Sequence, residues 1–318
     1  SDKTGTLTEG KMTAIRVFTF VRAGDSTVQD FHFYPTKGFN PNGGLFKTKD
    51  LTNEKKSEVE SMYQESVGTF KAGATFPQYG NICTNHGDPE DKSWESVSAR
   101  AFMTSCFLNS HSTTLNYYGD NGDTWLPKGN MSEAAIIVAA AKMRINMPAN
   151  DPVANVRAQH AMFEALEVPF NSDRKMQITV HKCQTPGSVA GIAFGKGQEH
   201  FDAFAIIKGA PDRIMPLMPF VPIKTGNLVQ MDLSNIRSGV EEQKITECND
   251  SLAEQALRVL AAGVMPLGEK ELSALQSMDK ADDRLTWFKE QRNACLVGLI
   301  GNQDPPRPGV AGAIATCR

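Results

Sequence analysis

Two periodicities divide the chain. Between residues 54 and 166, apolar positions recur at three- and four-residue spacing over 54–70, 94–109, 133–144 and 153–166, and each window predicts a helix. From residue 176 the period shortens. Residues 176–182, 188–194 and 204–208 are short runs rich in Val, Ile and Phe, broken by Thr185-Pro186-Gly187 and Gly195-Lys196-Gly197. Branched and aromatic runs separated by Gly/Pro turns predict an antiparallel meander. A long amphipathic helix is expected over 240–262, with Ile245, Leu252, Leu257 and Leu260 among its apolar positions, running into a strand-like 264–267. Residues 15–20 and 295–300 read as further strands, 34–45 as a Gly/Pro/Asn-rich loop, and 309–318 as the start of a last helix.

The 318 residues suffice for one large or two ordinary domains. Hydrophobic residues make up 40% and charged residues 22%, the balance of a soluble, globular chain. Acidic and basic residues are interspersed and sum to −3, which argues against a nucleic-acid partner and leaves a monomer as the simplest state. No window approaches the roughly 20 apolar residues needed to cross a bilayer. The longest, 134–141, has the length of a core helix. The six cysteines, Cys83, Cys106, Cys183, Cys248, Cys295 and Cys317, form no Cys-x-x-Cys pair and are expected to be reduced thiols. Cys83 and His86 have a ligand-like separation, but no second pair stands near them to complete a tetrahedral zinc site.

The densest chemistry is the opening run Ser1-Asp2-Lys3-Thr4-Gly5-Thr6-Leu7-Thr8. A carboxylate can attack a phosphoryl group and split one difficult transfer into two easier steps. Lys3 offsets charge on the transferring oxygens and Thr6 can donate to one of them, while Gly5 lets the backbone approach without a Cβ. Taken alone, Asp-Lys-Thr-Gly is also an ordinary turn.

Five further segments carry candidate chemistry, each with a plain structural reading beside it. Asp304-Pro305-Pro306-Arg307 is a stiff connector whose Arg suits bidentate phosphate recognition. Phe170 precedes a charge cluster ending in Lys175-Met176, so a ring able to stack on a base stands near an ammonium. Lys208-Gly209-Ala210-Pro211-Asp212 closes a strand with a cation and a glycine, then opens a helix at Pro211. Met131-Ser132-Glu133 reads as a helix start, with Ser132 as N-cap and Glu133 as a first-turn acid. Leu257-Arg258-Val259-Leu260-Ala261 places an Arg on the surface of the expected long helix.

Together, in this order, these segments resemble the cytoplasmic loop of type II, cation-transporting P-type ATPases. The resemblance spans essentially the whole chain. It implies an α/β (α+β) fold in which an antiparallel sheet flanked by helices is inserted into a truncated Rossmann-like domain of the dehalogenase (HAD) superfamily. Residues 1–8 and 304–318 would belong to that phosphorylation domain and 9–303 to the nucleotide-binding domain. It further implies ATP and Mg2+ as ligands, Asp2 as phosphate acceptor beside Lys3, Thr4 and Thr6, and magnesium held by Asp2 and the Thr4 carbonyl. Phe170 would stack on adenine with Lys175 beside the nucleotide, and Glu133 would accept a hydrogen bond from the adenine amino group. Lys208, Gly209, Arg258 and Arg307 would complete the nucleotide site.

Thr4 stands where related phosphohydrolases carry a second acid that discharges the intermediate, and a pump needs its phosphoenzyme to persist. The resemblance implies a piece of a membrane pump lying on the cytoplasmic face, with the transmembrane and actuator parts as partners. No Thr-Gly-Asp run and no Gly-Asp-Gly-x-Asn-Asp segment is present, so this chain is expected to bind ATP without turnover. Thr8-Glu9-Gly10-Lys11-Met12 looks most like the type IID sodium pumps, with calcium next and protons or potassium still open. A soluble phosphohydrolase of the dehalogenase superfamily and a non-catalytic nucleotide-binding module stand as alternatives.

Overall fold

The computed structural model describes residues 8–36, 38–41, 43–67, 91–118, 124–143, 145, 156–183, 188–189, 192–194, 201–226, 228–307 and 309–316. Asp2, Lys3, Thr4 and Thr6, with the magnesium position expected at Asp2 and Thr4, lie outside the described residues, as do Cys83 and His86. In chain order the strands are β1 (Thr13–Ala23), β2 (Ser26–Tyr34), β3 (Gly44–Lys47), β4 (Thr114–Tyr118), β5 (Thr124–Lys128), β6 (Val168–Asn171), β7 (Met176–Lys182), β8 (Ser188–Val189), β9 (Ile192–Phe194), β10 (Ala203–Gly209), β11 (Ile223–Thr225), β12 (Leu228–Met231), β13 (Arg258–Leu267) and β14 (Cys295–Gln303). The helices are α1 (Asn53–Val67), α2 (Trp94–Leu108), α3 (Met131–Lys142), α4 (Val156–Gln159), α5 (Pro211–Ile214), α6 (Gly239–Glu254), α7 (Glu269–Gln276), α8 (Ala281–Gln291) and α9 (Val310–Thr316).

Antiparallel pairing runs in the order β6-β7-β10-β13-β14-β1-β2-β3. A smaller wing, β11-β12-β9-β8, joins β1 through the parallel pair Arg22↔Ile223. Side chains on a strand alternate between faces, and β10 shows how this divides the core. Phe204 and Ile206 enter one apolar cluster with Phe102 and Phe107 of α2 and Ile136 and Ile137 of α3. Ala203, Ala205 and Ile207 enter the other, with Leu252 of α6, Leu275 of α7 and Phe288 of α8. The sheet is therefore covered on both faces, and Lys208 continues the α2-facing row.

The start of α6 is held by an ionic pair as well as a cap. Ser238 and Glu241 form a capping box, and Arg22 donates to Glu241 through Nε (2.7 Å) and Nη2 (2.9 Å). Hydrogen bonding from Arg22 is the chief reason the Glu241 carboxyl is depressed from 4.5 to about 2. A depressed carboxyl stabilises the fold fully above its unfolded value and loses that contribution as pH falls. The loss should run from pH 4.5 down to about 2. In Glu241→Gln the melting temperature at neutral pH should fall by the equivalent of about 1 kcal/mol, because Arg22 is partly exposed and screened. Its melting temperature, followed from neutral to acid pH, should also vary less than that of the wild type; an unchanged acid slope would contradict this role.

Three expected elements are corrected. The helix expected over 240–262 ends at Glu254, and Arg258 opens the ten-residue strand β13. Ala256 adopts φ 56°, and the backbone N–H groups of Ala256 and Leu257 close the helix end on the Ala253 and Leu252 carbonyls. Arg258 is consequently on a strand and not on a helix surface. The helix expected over 153–166 is reduced, among its described residues, to α4 and a 3₁₀ turn at Glu164–Leu166. Backbone pairing with β7 takes the intervening residues, since Phe163 N donates to Val180 O (2.8 Å) and Lys182 N to Ala161 O (2.9 Å). Finally, 188–194 is no rung of a meander. β8 and β9 form a small hairpin whose β9 pairs with β12, while β7 and β10 bond to each other directly.

Residues 8–10 meet residues 304–307. Thr8 pairs with Pro306, Glu9 N donates to Pro305 O (2.9 Å), and Asp304 accepts from Thr8 Oγ1 (2.7 Å) and Gly10 N (3.0 Å). Arg307 Nε donates to the Thr8 carbonyl at 2.9 Å. Among the described residues no helix is long and apolar enough to cross a membrane.

Candidate functional site

The α2-facing row of β10 ends in a cation. Lys208 is 6% exposed, and its Nζ donates to Ser110 Oγ (2.7 Å) and lies 3.4 Å from Glu133 Oε1. Burial pushes the Lys208 ammonium below its ordinary value, and the charge of Glu133 opposes that shift. Glu133 sits in the first turn of α3, where its Oε2 accepts from Ser112 Oγ (3.0 Å) and Thr113 Oγ1 (2.8 Å). The helix cap is Asn130, whose side chain accepts from Ser132 N, so Ser132 is not the expected N-cap. Ser132 is free instead to accept from Arg258 Nη1 at 2.9 Å.

Gly209 lets β7 close over the end of β10. A Cβ there would press on the Lys175 carbonyl and stand 2.9 Å from Met176 Cα. Beside it, Phe170 on β6 is 55% exposed at the mouth of the cleft. The result is a cleft of about 290 Å³ lined by Phe170, Lys208, Gly209, Glu133 and Arg258. One wall holds groups the sequence did not point to. Gln177, paired across the ladder with Lys208, donates to Glu167 Oε1 (2.9 Å), and His111 Nε2 lies 3.7 Å from Glu167 Oε2. The polar run 109–114 directly after a buried helix contains His111, whereas Glu167 and Gln177 carry no comparable signal in the sequence.

Two expected nucleotide residues stand outside this cleft. Lys175 occupies an exposed turn at φ 51° and contributes its backbone, accepting from Ala210 N at 3.0 Å. Arg307 lies at the chain crossing beside Thr8. A more open cleft of about 430 Å³ runs between α5 and α6 but gathers none of the expected residues, and its Arg237 and Arg292 are balanced by Asp212 and Glu242. Among the described residues, no three His, Cys, Asp or Glu side chains are grouped to hold a metal, and Cys106, Cys183, Cys248 and Cys295 are free thiols.

Residues 98–309, which include every described residue of the cleft, match the family described as P-type ATPase, cytoplasmic domain N. The chain belongs to the P-type ATPases. Aligned over its whole length, it is 38% identical to the P-type sodium-transporting ATPase4 of Toxoplasma gondii and covers 24% of that protein. To the P-type sodium-transporting ATPase4 of Plasmodium falciparum it is 36% identical, again over the whole chain, covering 25% of the relative. A calcium-transporting ATPase of Bacillus subtilis is 26% identical over the whole chain, with 25% of its length covered. The chain thus spans about a quarter of the curated relatives it matches. P-type ATPases are hydrolases that use ATP and magnesium, and the large antiparallel sheet with helices on both faces agrees with their N domain.

Proposed function

We propose that this chain is the nucleotide-binding part of a sodium-transporting P-type ATPase and that the cleft between β6, β10 and α3 receives ATP. The observation that carries the reading is convergence. Glu133, Phe170, Lys208 with Gly209, and Arg258 come from four separated stretches of sequence and line one cleft, in a chain of this family. The exposed Phe170 ring offers a stacking face for adenine, and Glu133 retains acceptor capacity for its amino group. Arg258 favours the phosphate-bearing end, while Lys208, 3.4 Å from Glu133, stands at the base end.

In the same reading, residues 9–303 form the nucleotide domain, and 1–8 with 304–318 belong to the phosphorylation domain on the cytoplasmic side of a membrane. The tie between Thr8 and Asp304 supports a double crossing at that point. Domain closure there would bring nucleotide toward Asp2, and Lys175 and Arg307 would meet phosphates only on closure. Asp2 would attack the γ-phosphorus, forming an acyl phosphate as ADP leaves. Asp2 and the Thr4 carbonyl are hard oxygen donors of the kind magnesium takes, and the ion would offset charge on the transferring group.

Sodium is favoured over calcium by the names of the two more similar relatives. The test is phosphoenzyme formation from ATP in the full-length pump. Sodium should stimulate it and Asp2→Asn should abolish it. Stimulation by calcium alone would move the ion assignment, and phosphoenzyme in the Asp2→Asn protein would remove the acceptor assignment.

A further inference from the structure

The turn that follows α2 is tied into the cleft at successive residues. Asn109 Nδ2 donates to Thr179 Oγ1 (2.9 Å) and to the Ile206 carbonyl (3.2 Å), anchoring the turn to β7 and β10. Ser110 Oγ takes the Lys208 ammonium, and the Ser112 and Thr113 hydroxyls hold the Glu133 carboxylate. Asn130 N donates to Thr113 Oγ1 at 3.1 Å, so the same hydroxyl also ties down the entry to α3.

Arg157 of α4 clamps this turn from behind without lining the cleft. Its Nη2 donates to the carbonyls of Ser110 (3.0 Å) and Thr113 (3.2 Å), and its guanidinium carbon lies 4.4 Å from the centre of the Phe107 ring. One side chain therefore fixes the two residues whose hydroxyls hold the cleft's cation and its carboxylate. Arg157 is also within electrostatic reach of Glu133, which places a second positive charge behind the carboxylate that Lys208 meets in front. Both hydrogen bonds leave Nη2, so a lysine ammonium could still reach the carbonyls but would lack the planar face that covers the ring.

We infer that Arg157 is a positioning residue for base selection, holding Glu133 and Lys208, through the 110–113 turn, in the arrangement that separates a 6-amino from a 6-oxo purine. The inference rests on the proposed nucleotide site. A fixed carboxylate accepts from a 6-amino group but repels a 6-oxo oxygen, and that discrimination decays once the carboxylate can swing away.

The experiment is calorimetric titration of the chain with ATP and with inosine triphosphate, which differs in carrying the 6-oxo group. Wild type, Arg157→Met and Arg157→Lys are compared after circular dichroism shows each to be folded. Wild type should prefer ATP. Arg157→Met should shrink that preference about tenfold, mostly through weaker ATP binding, the size expected for one weakened charge-assisted hydrogen bond. Arg157→Lys should restore part of the preference. An unchanged preference, or equal losses for both nucleotides, would overturn the inference and leave the nucleotide site standing. Should Arg157→Met fail to fold, Arg157→Lys decides: a narrowed preference supports the inference and a wild-type preference overturns it. A folded wild type that takes neither nucleotide overturns both readings.

Discussion

Replacing Phe170 by alanine should weaken ATP binding by roughly five- to 150-fold and leave the melting temperature almost unchanged. Both halves of this result follow from the ring's position. Phe170 is 55% exposed on β6, so removing its ring opens no cavity in either apolar cluster. Surface substitutions of this kind usually shift stability by no more than about 0.5 kcal/mol. Stacking of a base on an aromatic face is worth ~1–3 kcal/mol, which converts to that range of dissociation constants. Phe170→Tyr keeps the face and should bind nearly as the wild type does. Calorimetric titration of the three proteins checks both statements. A Phe170→Ala protein with unaltered affinity would take adenine off this face of the cleft.

Gly209→Ala should cost both stability and nucleotide affinity. The added Cβ meets the Lys175 carbonyl and Met176 Cα, which are backbone atoms of the β6–β7 turn and of β7 and cannot rotate aside as a side-chain tip would. Relief requires β7 to move away from β10 at the Gly209↔Met176 pair, next to Gln177↔Lys208. Overpacking of this kind costs about 1–3 kcal/mol, sometimes more. The same displacement shifts Lys208 relative to Glu133, so ATP binding should weaken in parallel. Gly239→Ala is the control. It opens α6, a Cβ there meets nothing within 4 Å, and alanine is the better helix former. Its melting temperature should hold or rise. Equal melting temperatures for Gly209→Ala and wild type would show that the β7–β10 contact yields easily.

The elements read correctly from sequence were those whose local pattern and tertiary role agree. Strand β7 has the expected bounds, and α2, capped by Ser93, ends one residue before the expected limit. The reading failed where tertiary pairing overrode local pattern. Residues Arg258–Leu267 carry Val-Leu-Ala-Ala in helical register with α6, and no glycine or proline marks the break at Ala256. Only a gap between β10 and β14, filled on both edges, makes that segment a strand. Strand β2 was hidden for another reason. Its inward positions alternate properly, but two of them are Thr27 and Gln29, polar residues satisfied by Glu241, Thr19 and the Val21 carbonyl.

The candidate site divides along the same line. Phe170, Glu133, Lys208, Gly209 and Arg258 each stand in a short segment that alone also has a plain structural reading, so they were legible only through their joint order along the chain. His111, Glu167 and Gln177 acquire meaning only through the β7–β10 register and the turn after α2, which bring them to a common wall. Arg157 is further from legibility still, because it acts through two backbone carbonyls that any sequence would supply.

The proposed ATP site is the cleft of Phe170, Lys208 and Glu133. Its most direct test is calorimetric titration of the folded wild-type chain with ATP in magnesium-containing buffer, repeated with Lys208→Met. Saturable one-to-one binding by the wild type and weaker binding by a Lys208→Met protein of the same fold are expected. A folded wild-type chain that releases no heat of binding, or a Lys208→Met protein that binds as tightly, would contradict the ATP assignment.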